Sequence, residues 1–295
     1  GLAPHGVFAS PSFASKLGLA RLEDAMASPN EITAPQLPRR IGTPDCPVLV
    51  DVSTDADFHD DAYLVPGAFR HSHTDMSGLH QKLDGRACVI ICQKGGKLSQ
   101  GVAAWLRDTG GTAEYLSGGN HAWRAQTDAP RVPARHLQAS SQQSMIWVTR
   151  HRPKIDRIAC PWLIRRFVDA QARFLFVAPD AVDGVADRFG AIPFDVENTF
   201  WSHRGARCTF DIMVEEFGLG TPALHRLADG VRAADTDRHD LHRAAAGLMA
   251  VIVGLSRLYR DDTQQLAAGM MLYDALYRWA RDGYDETHTW PTTKR

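Results

Sequence analysis

Cys92 is followed by Gln93-Lys94-Gly95-Gly96-Lys97, a run that sets a nucleophilic thiol beside two glycines and two cations. The residues before it, Ala87-Cys-Val-Ile-Ile-Cys92, form an apolar stretch rich in β-branched side chains, which predicts a strand buried on both faces. A helical pattern follows from Leu98 to Thr109, with Val102, Trp105 and Leu106 on one face. Cys92 is therefore expected at the carboxyl end of a parallel strand, the edge where doubly wound sheets bind ligands. The glycines let loop amides converge. Together with a helix N-terminus those amides form an anion-binding nest that favours a thiolate over a thiol. Lys94 and Lys97 add positive potential, so the expected chemistry is nucleophilic attack with an anionic leaving or accepting group.

A phosphate-cleaving loop needs Cys-x5-Arg, whose guanidinium fork clamps two phosphate oxygens. Here that position is Leu98, so the loop from Cys92 to Lys97 lacks that clamp.

Other polar clusters lie in the second half. Arg150 to Phe167 carries six basic residues and one acid, Asp156. Arg157 and Arg165, eight apart, share a helix face. The run reads either as an oxyanion site built from guanidinium groups or as a solvated basic face or internal ion pairs. Asp156 reads as a helix N-cap. Phe194 to Asp211 gathers Glu197, His203, Cys208 and Asp211, and Asp235 to Asp240 clusters carboxylates around His239. Carboxylates with imidazole suit a transition metal, so Glu197, His203 and Asp235 are candidate ligands, although no HxxxH or CxxC spacing is present. Asp235 and Asp237 read equally well as helix caps, and His203 as a hydrogen-bonded loop residue.

The elements that must position these groups divide the chain in two. At 295 residues, two domains are expected. The net charge is −1, spread evenly between the halves, and this argues against a nucleic-acid partner. Strands at Pro47 to Ser53, Ala87 to Cys92 and Thr112 to Leu116 alternate with helices, predicting an α/β fold with a doubly wound parallel sheet over residues 1–126, preceded by a helical extension over Ser12 to Met26. Residues 127–145, rich in Pro, Ser, Gln and Ala, read as a linker. Residues 146–295 are expected to form a second, mostly helical domain with a small sheet. In it Met270, Met271 and Tyr273 read as core, and Gly247 and Gly254 as points of close helix packing. Trp105 and Trp123 likewise read as packing residues. The longest apolar run, Ala244 to Leu255, is 12 residues, short of the roughly 20 that span a bilayer. Five widely spaced cysteines make a poor disulfide framework, and the first residues lack a signal-peptide pattern. A cytoplasmic protein with no membrane partner is expected.

Four motifs in order, Asp51-Val-Ser-Thr-Asp-Ala-Asp-Phe58, Val65-Pro-Gly-Ala68, Cys92-Gln-Lys-Gly-Gly-Lys-Leu-Ser99 and Leu116-Ser-Gly-Gly-Asn-His-Ala-Trp123, resemble rhodanese domains over about residues 30–126. The resemblance implies that Cys92 takes a sulfane sulfur from a small anionic donor such as thiosulfate. The persulfide, cradled by Gln93, Lys94, Gly95, Gly96 and Lys97, then passes to a thiol or cyanide, with no cofactor required. Ser53 and Leu64 stand where the family often has Arg and His, so the donor is not specified. Lys154 to Phe167, His203 to Asp211 and Ala244 to Arg281 resemble the C-terminal domain of chromate-resistance protein B over about residues 146–283. That implies a link to chromate or oxyanion resistance. Two functions are therefore expected of the whole: a sulfurtransferase tied to oxyanion stress, or a metal- or oxyanion-binding resistance or regulatory protein whose rhodanese domain is a sensor or binding module.

Overall fold

A computed structural model describes residues 29–137 and 144–287; the helix expected over Ser12 to Met26 and the centre of the expected linker lie outside the described residues. The first unit contains strands β1 (Glu31–Ile32) and β2 (Val48–Asp51), helix α1 (Asp55–Asp60), strands β3 (Tyr63–Leu64) and β4 (Ala68–Arg70), and helix α2 (Met76–Leu83). Then come β5 (Cys88–Ile91), α3 (Lys97–Asp108), β6 (Ala113–Leu116), α4 (Gly119–Arg124) and β7 (Val132–Pro133). The second comprises β8 (Ile146–Arg150), α5 (Asp156–Phe167), β9 (Arg173–Val177), α6 (Val182–Phe189), β10 (Ile192–Pro193), α7 (Thr209–Glu216), α8 (Pro222–Asp235), α9 (Ala245–Leu258) and α10 (Asp262–Asp282).

Five parallel strands in the order β1-β6-β5-β2-β4 make the first sheet, with Leu49 opposite Val89 and Val50 opposite Ile90. Successive side chains leave a strand on opposite faces, which explains why these strands read as unbroken apolar runs. Val50, Val52, Cys88, Ile90 and Ala113 pack under Leu79 and Leu83 of α2 and Val102, Ala103 and Leu106 of α3. Leu49, Val89, Ile91 and Leu116 face the other way, toward Trp123 and the second unit. This is the α/β arrangement expected from the sequence.

In the second unit, three parallel strands in the order β10-β8-β9 lie beside helices α5, α7, α8 and α10. The expectation of a mostly helical unit with a small sheet is met. Helix α5 holds Pro161 in its interior, which removes one backbone hydrogen bond and costs about 3 kcal/mol in an isolated helix. Burial of Ile158, Trp162, Leu163, Ile164 and Phe167 around it offsets that loss. Met271 and Trp105 depart from expectation: they are 77% and 42% exposed. Gly247 and Gly254 face open space rather than another helix.

The apolar core runs through both units, from Ile32 and Leu116 to Trp162 and Tyr273. Part of the segment read as linker is ordered, since β7 pairs antiparallel with β3. The seam is held by the Gly67 amide donating to the Phe167 carbonyl at 2.6 Å and the Arg131 amide to that of Gly218 at 3.3 Å. Gly42 sits at this seam with φ +80°, and a Cβ there would come within 3 Å of the Phe167 and Tyr277 rings. Neither ring can retreat into solvent, so Gly42→Ala combines left-handed backbone strain with overpacking. A loss of about 2–4 kcal/mol is expected, read as a lower midpoint in urea denaturation.

Candidate functional site

The strand β5 ends at Ile91 and delivers Cys92 to the loop that precedes α3. The Cys92 side chain is 4% exposed, with Sγ 3.1 Å from Ser99 Oγ, one turn into α3. Two loop carbonyls turn toward α4: the Asn120 amide donates to Cys92 O at 2.9 Å and the His121 amide to Gln93 O at 3.0 Å. Gly95 O accepts from Gln100 Nε2 at 3.0 Å, and Gly96 O from Ser99 Oγ at 3.3 Å. With its carbonyls so engaged, the amides of residues 93–97 donate to no protein acceptor among the described residues. Backbone N–H groups disposed this way at a helix N-terminus suit an anion. Lys94 and Lys97 are exposed at the rim.

This path of the chain depends on glycine at two places. Gly95 has φ +65°, and a Cβ there would lie 2.5 Å from the Gly118 amide nitrogen. Gly119, at φ +57°, leaves no room for a Cβ beside the Cys92 carbonyl. Behind them, Asp51 at the end of β2 accepts from the Ser53 amide at 2.9 Å and from Asn120 Nδ2 at 2.7 Å. Burial raises the Asp51 pKa, against the pull of those donors. Asp51 thus ties β2 to the segment carrying Gly119. Beside the loop, His73, Met76, Lys97, Leu98, Gly101, Val102 and Trp105 line a cavity of about 260 Å³, which accounts for the exposure of Trp105.

A second cluster is centred on His203. Its Nε2 lies 3.5 Å from an Asp156 oxygen and 3.3 Å from oxygens of both Asp195 and Asp235. Four separate segments supply these groups: Asp156 opens α5, Asp195 follows β10, His203 precedes α7 and Asp235 closes α8. Hydrogen bonds to Asp156, Asp195 and Asp235 hold the His203 pKa up to about 12. Asp156 is wholly buried, which raises its pKa. Burial would raise Asp195 as well, but His203, Arg157 and the Thr209 hydroxyl outweigh it and lower that carboxyl.

Several expectations about these residues change. Asp156 does not cap its own helix, whose N-cap position is Ile155. One Asp156 oxygen instead accepts the Thr209 amide at 2.6 Å and the Phe210 amide at 3.4 Å, capping α7. Asp235 ends a helix rather than starting one, and Asp237 pairs with His239 at 3.3 Å. Of the three candidate ligands, His203 and Asp235 meet, while Glu197 is exposed and stands outside the cluster. Asp156 and Asp195 complete the cluster, and the sequence reading did not place either of them with His203. The guanidinium groups of the basic run are engaged inside the molecule: Arg150 and Arg157 on Asp195 at 3.4 and 3.1 Å, and Arg166 on Asp274 at 2.7 Å. Arg165 lies over the Phe174 ring and donates to Ala172 O. The ion-pair reading of that run therefore holds over the oxyanion reading.

Residues 147–280 match the family described as ChrB, C-terminal domain. The chain is similar to Protein ChrB of Cupriavidus metallidurans, 34% identical over 151 residues that make up 50% of this chain and 44% of that protein. It therefore spans less than half the length of that relative. Among solved structures it is similar to a protein of Staphylococcus saprophyticus (27% identity, 30% of this chain and 88% of that one, TM-score 0.27). It is also similar to a rhodanese-like domain protein of Staphylococcus aureus (27% identity, 32% and 90%, TM-score 0.26). A third is a protein of Rhodopseudomonas palustris described as a possible tyrosine phosphatase (23% identity, 39% and 95%, TM-score 0.28). The family match falls on the second unit, from Trp147 in β8 to Ala280 in α10. No helix among the described residues is long and apolar enough to cross a membrane.

Proposed function

We propose that the chain is a rhodanese-type sulfurtransferase whose activity serves chromate or oxyanion resistance through the ChrB-type second half. One observation carries this reading: a buried thiol at the end of a central strand, in a six-residue loop whose amides 93–97 have no protein acceptor among the described residues and which opens a twelve-residue helix. The Cys92 thiolate attacks the outer, sulfane sulfur of thiosulfate. A bond forms between Sγ and that sulfur, the sulfur–sulfur bond of the donor breaks, and sulfite leaves with the electron pair. The terminal sulfur of the persulfide anion sits against the loop amides, with Lys94 and Lys97 drawing the anionic donor in. A thiolate or cyanide then attacks that terminal sulfur, and Cys92 departs as thiolate, ready for another cycle. No charge is left unaccounted for, and the residues needed are all in one loop. The absence of Arg at position 98 supports sulfur over phosphate transfer.

The direct test is intact mass. After thiosulfate treatment and desalting, the full chain should gain one sulfur atom, removable by cyanide or dithiothreitol, and Cys92→Ser should gain none. A chain that gains no sulfur, or gains it equally without Cys92, overturns the assignment.

A further inference from the structure

The cluster on His203 is more than an ion pair. One imidazole Nε2–H can point at a single acceptor, yet three carboxylates from three different elements crowd that nitrogen at 3.3–3.5 Å. A sphere of charge at the centre would meet all of them; a proton cannot. Asp156 adds a second and independent sign. It has no exposed surface; Oδ2, the oxygen that faces His203, also caps α7, while Oδ1 has no hydrogen-bond partner among the described residues. A buried carboxylate satisfied on one oxygen alone is costly, and a cation held by Asp156 would offset that cost.

We propose that Asp156, Asp195 and His203 ligate a divalent transition-metal ion, with Asp235 as the adjoining fourth carboxylate. The donor atoms of the first three lie within 4.8 Å of one another. Donors about 2.0–2.2 Å from a tetrahedral ion stand roughly 3.3–3.6 Å apart, which matches the spacing from Nε2 to each carboxylate. Charge fits as well. Arg150 and Arg157 face Asp195, so the three carboxylates outnumber the two guanidinium groups by one and leave a net negative charge for a cation. Imidazole with carboxylates suits zinc, manganese or ferrous iron. His203, 41% exposed, gives the ion a way in from solvent. The surrounding support is built too: Thr209 Oγ1 donates to Asp195 at 2.9 Å, and the Thr209 amide to Asp156.

The test titrates the chelator-treated full chain with Zn2+ in a calorimeter, without any sulfur donor. The expected result is one Zn2+ per chain, bound equally by wild type and Cys92→Ser, since the loop thiol is not a ligand. His203→Gln and Asp235→Asn should each weaken binding at least tenfold with circular dichroism unchanged, and Glu197→Gln should stay within twofold of wild type. Asp156→Asn risks unfolding because it also removes the α7 cap, so the surface-facing His203→Gln is the deciding variant. Failure of wild type to take up one Zn2+, loss of binding in Cys92→Ser, or wild-type affinity in a folded His203→Gln would each overturn the site. None of these results depends on sulfur transfer.

Discussion

Cys92→Ser is expected to lower the thiosulfate:cyanide transfer rate by at least about 10³-fold, because removing a covalent nucleophile leaves only binding and electrostatics. The melting midpoint should stay within a few degrees of wild type. The substitution keeps a small polar group in the pocket where Sγ lies 3.1 Å from Ser99 Oγ and leaves untouched the Asn120 and His121 amides that hold the loop. No other thiol stands in. Cys88 is four residues back on the strand, buried under α2 and α3, where burial pushes its thiol up to about 12. Burial pushes Cys46 up to about 11, and it raises Cys160 and Cys208 well above the ordinary range. These thiols are protonated at neutral pH and poor nucleophiles. A steady-state assay with thiosulfate and cyanide, on protein checked by circular dichroism, gives the rate. If Cys92→Ser retained a tenth of the wild-type rate, the loop would not be the reacting centre.

The Cys92 loop is legible in sequence because everything that shapes it is local. A strand, a thiol, two glycines and a helix start follow one another within a dozen residues, and strands buried on both faces announce themselves as apolar runs. Other features are present but short. Strand β4 has three residues after a Val-Pro-Gly turn, too few to show a period. Helix α2 is marked by Asp75, which accepts from the Gly78 amide at 2.9 Å, and by Met76, Leu79 and Leu83 at helical spacing. Those marks are local too, yet eight residues offer little more than two turns in which to show them.

The second cluster is half legible for a different reason. His203 and Asp235 share the right chemistry, but which neighbours join them depends on how four distant segments fold together. Asp195 and Glu197 are two residues apart around a turn where Asp195 has φ +53° and Asn198 +62°. Composition cannot tell which carboxylate turns inward there. The same holds for the basic run. Six cations between Arg150 and Arg166 suggest an anion site until Asp195 and Asp274, distant in sequence, neutralise three of them.

The largest stability loss is expected at Trp162. Trp162→Ala should cost about 3–5 kcal/mol, the range for a fully buried aromatic removed from a packed core. The indole has no exposed surface and packs among Phe167, Phe210, Tyr273 and Tyr277, whose ring centroids lie 5.5–6.4 Å from its own. These rings come from α5, α7 and α10, so no single element can move in to fill the space. Its Nε1 also donates to Asp274 Oδ1 at 2.8 Å, an oxygen that receives Arg166 Nε as well. The ion pair from Arg166 survives the substitution, so the loss is chiefly one of packing. Trp162→Phe separates the two contributions: it keeps a ring and drops the donor, and about 1–2 kcal/mol is expected from the lost hydrogen bond and smaller ring together. Urea denaturation followed by far-ultraviolet circular dichroism reads both. A cost below about 1 kcal/mol for Trp162→Ala would mean that these helices do not share one close-packed core. The same experiment tests the continuity of that core across the seam. Phe167 touches Trp162 on one side, and on the other its backbone carbonyl accepts the Gly67 amide from the first unit. Loss of Trp162 should therefore shift the unfolding of both halves together, and the Cys92 site should disappear in the same transition.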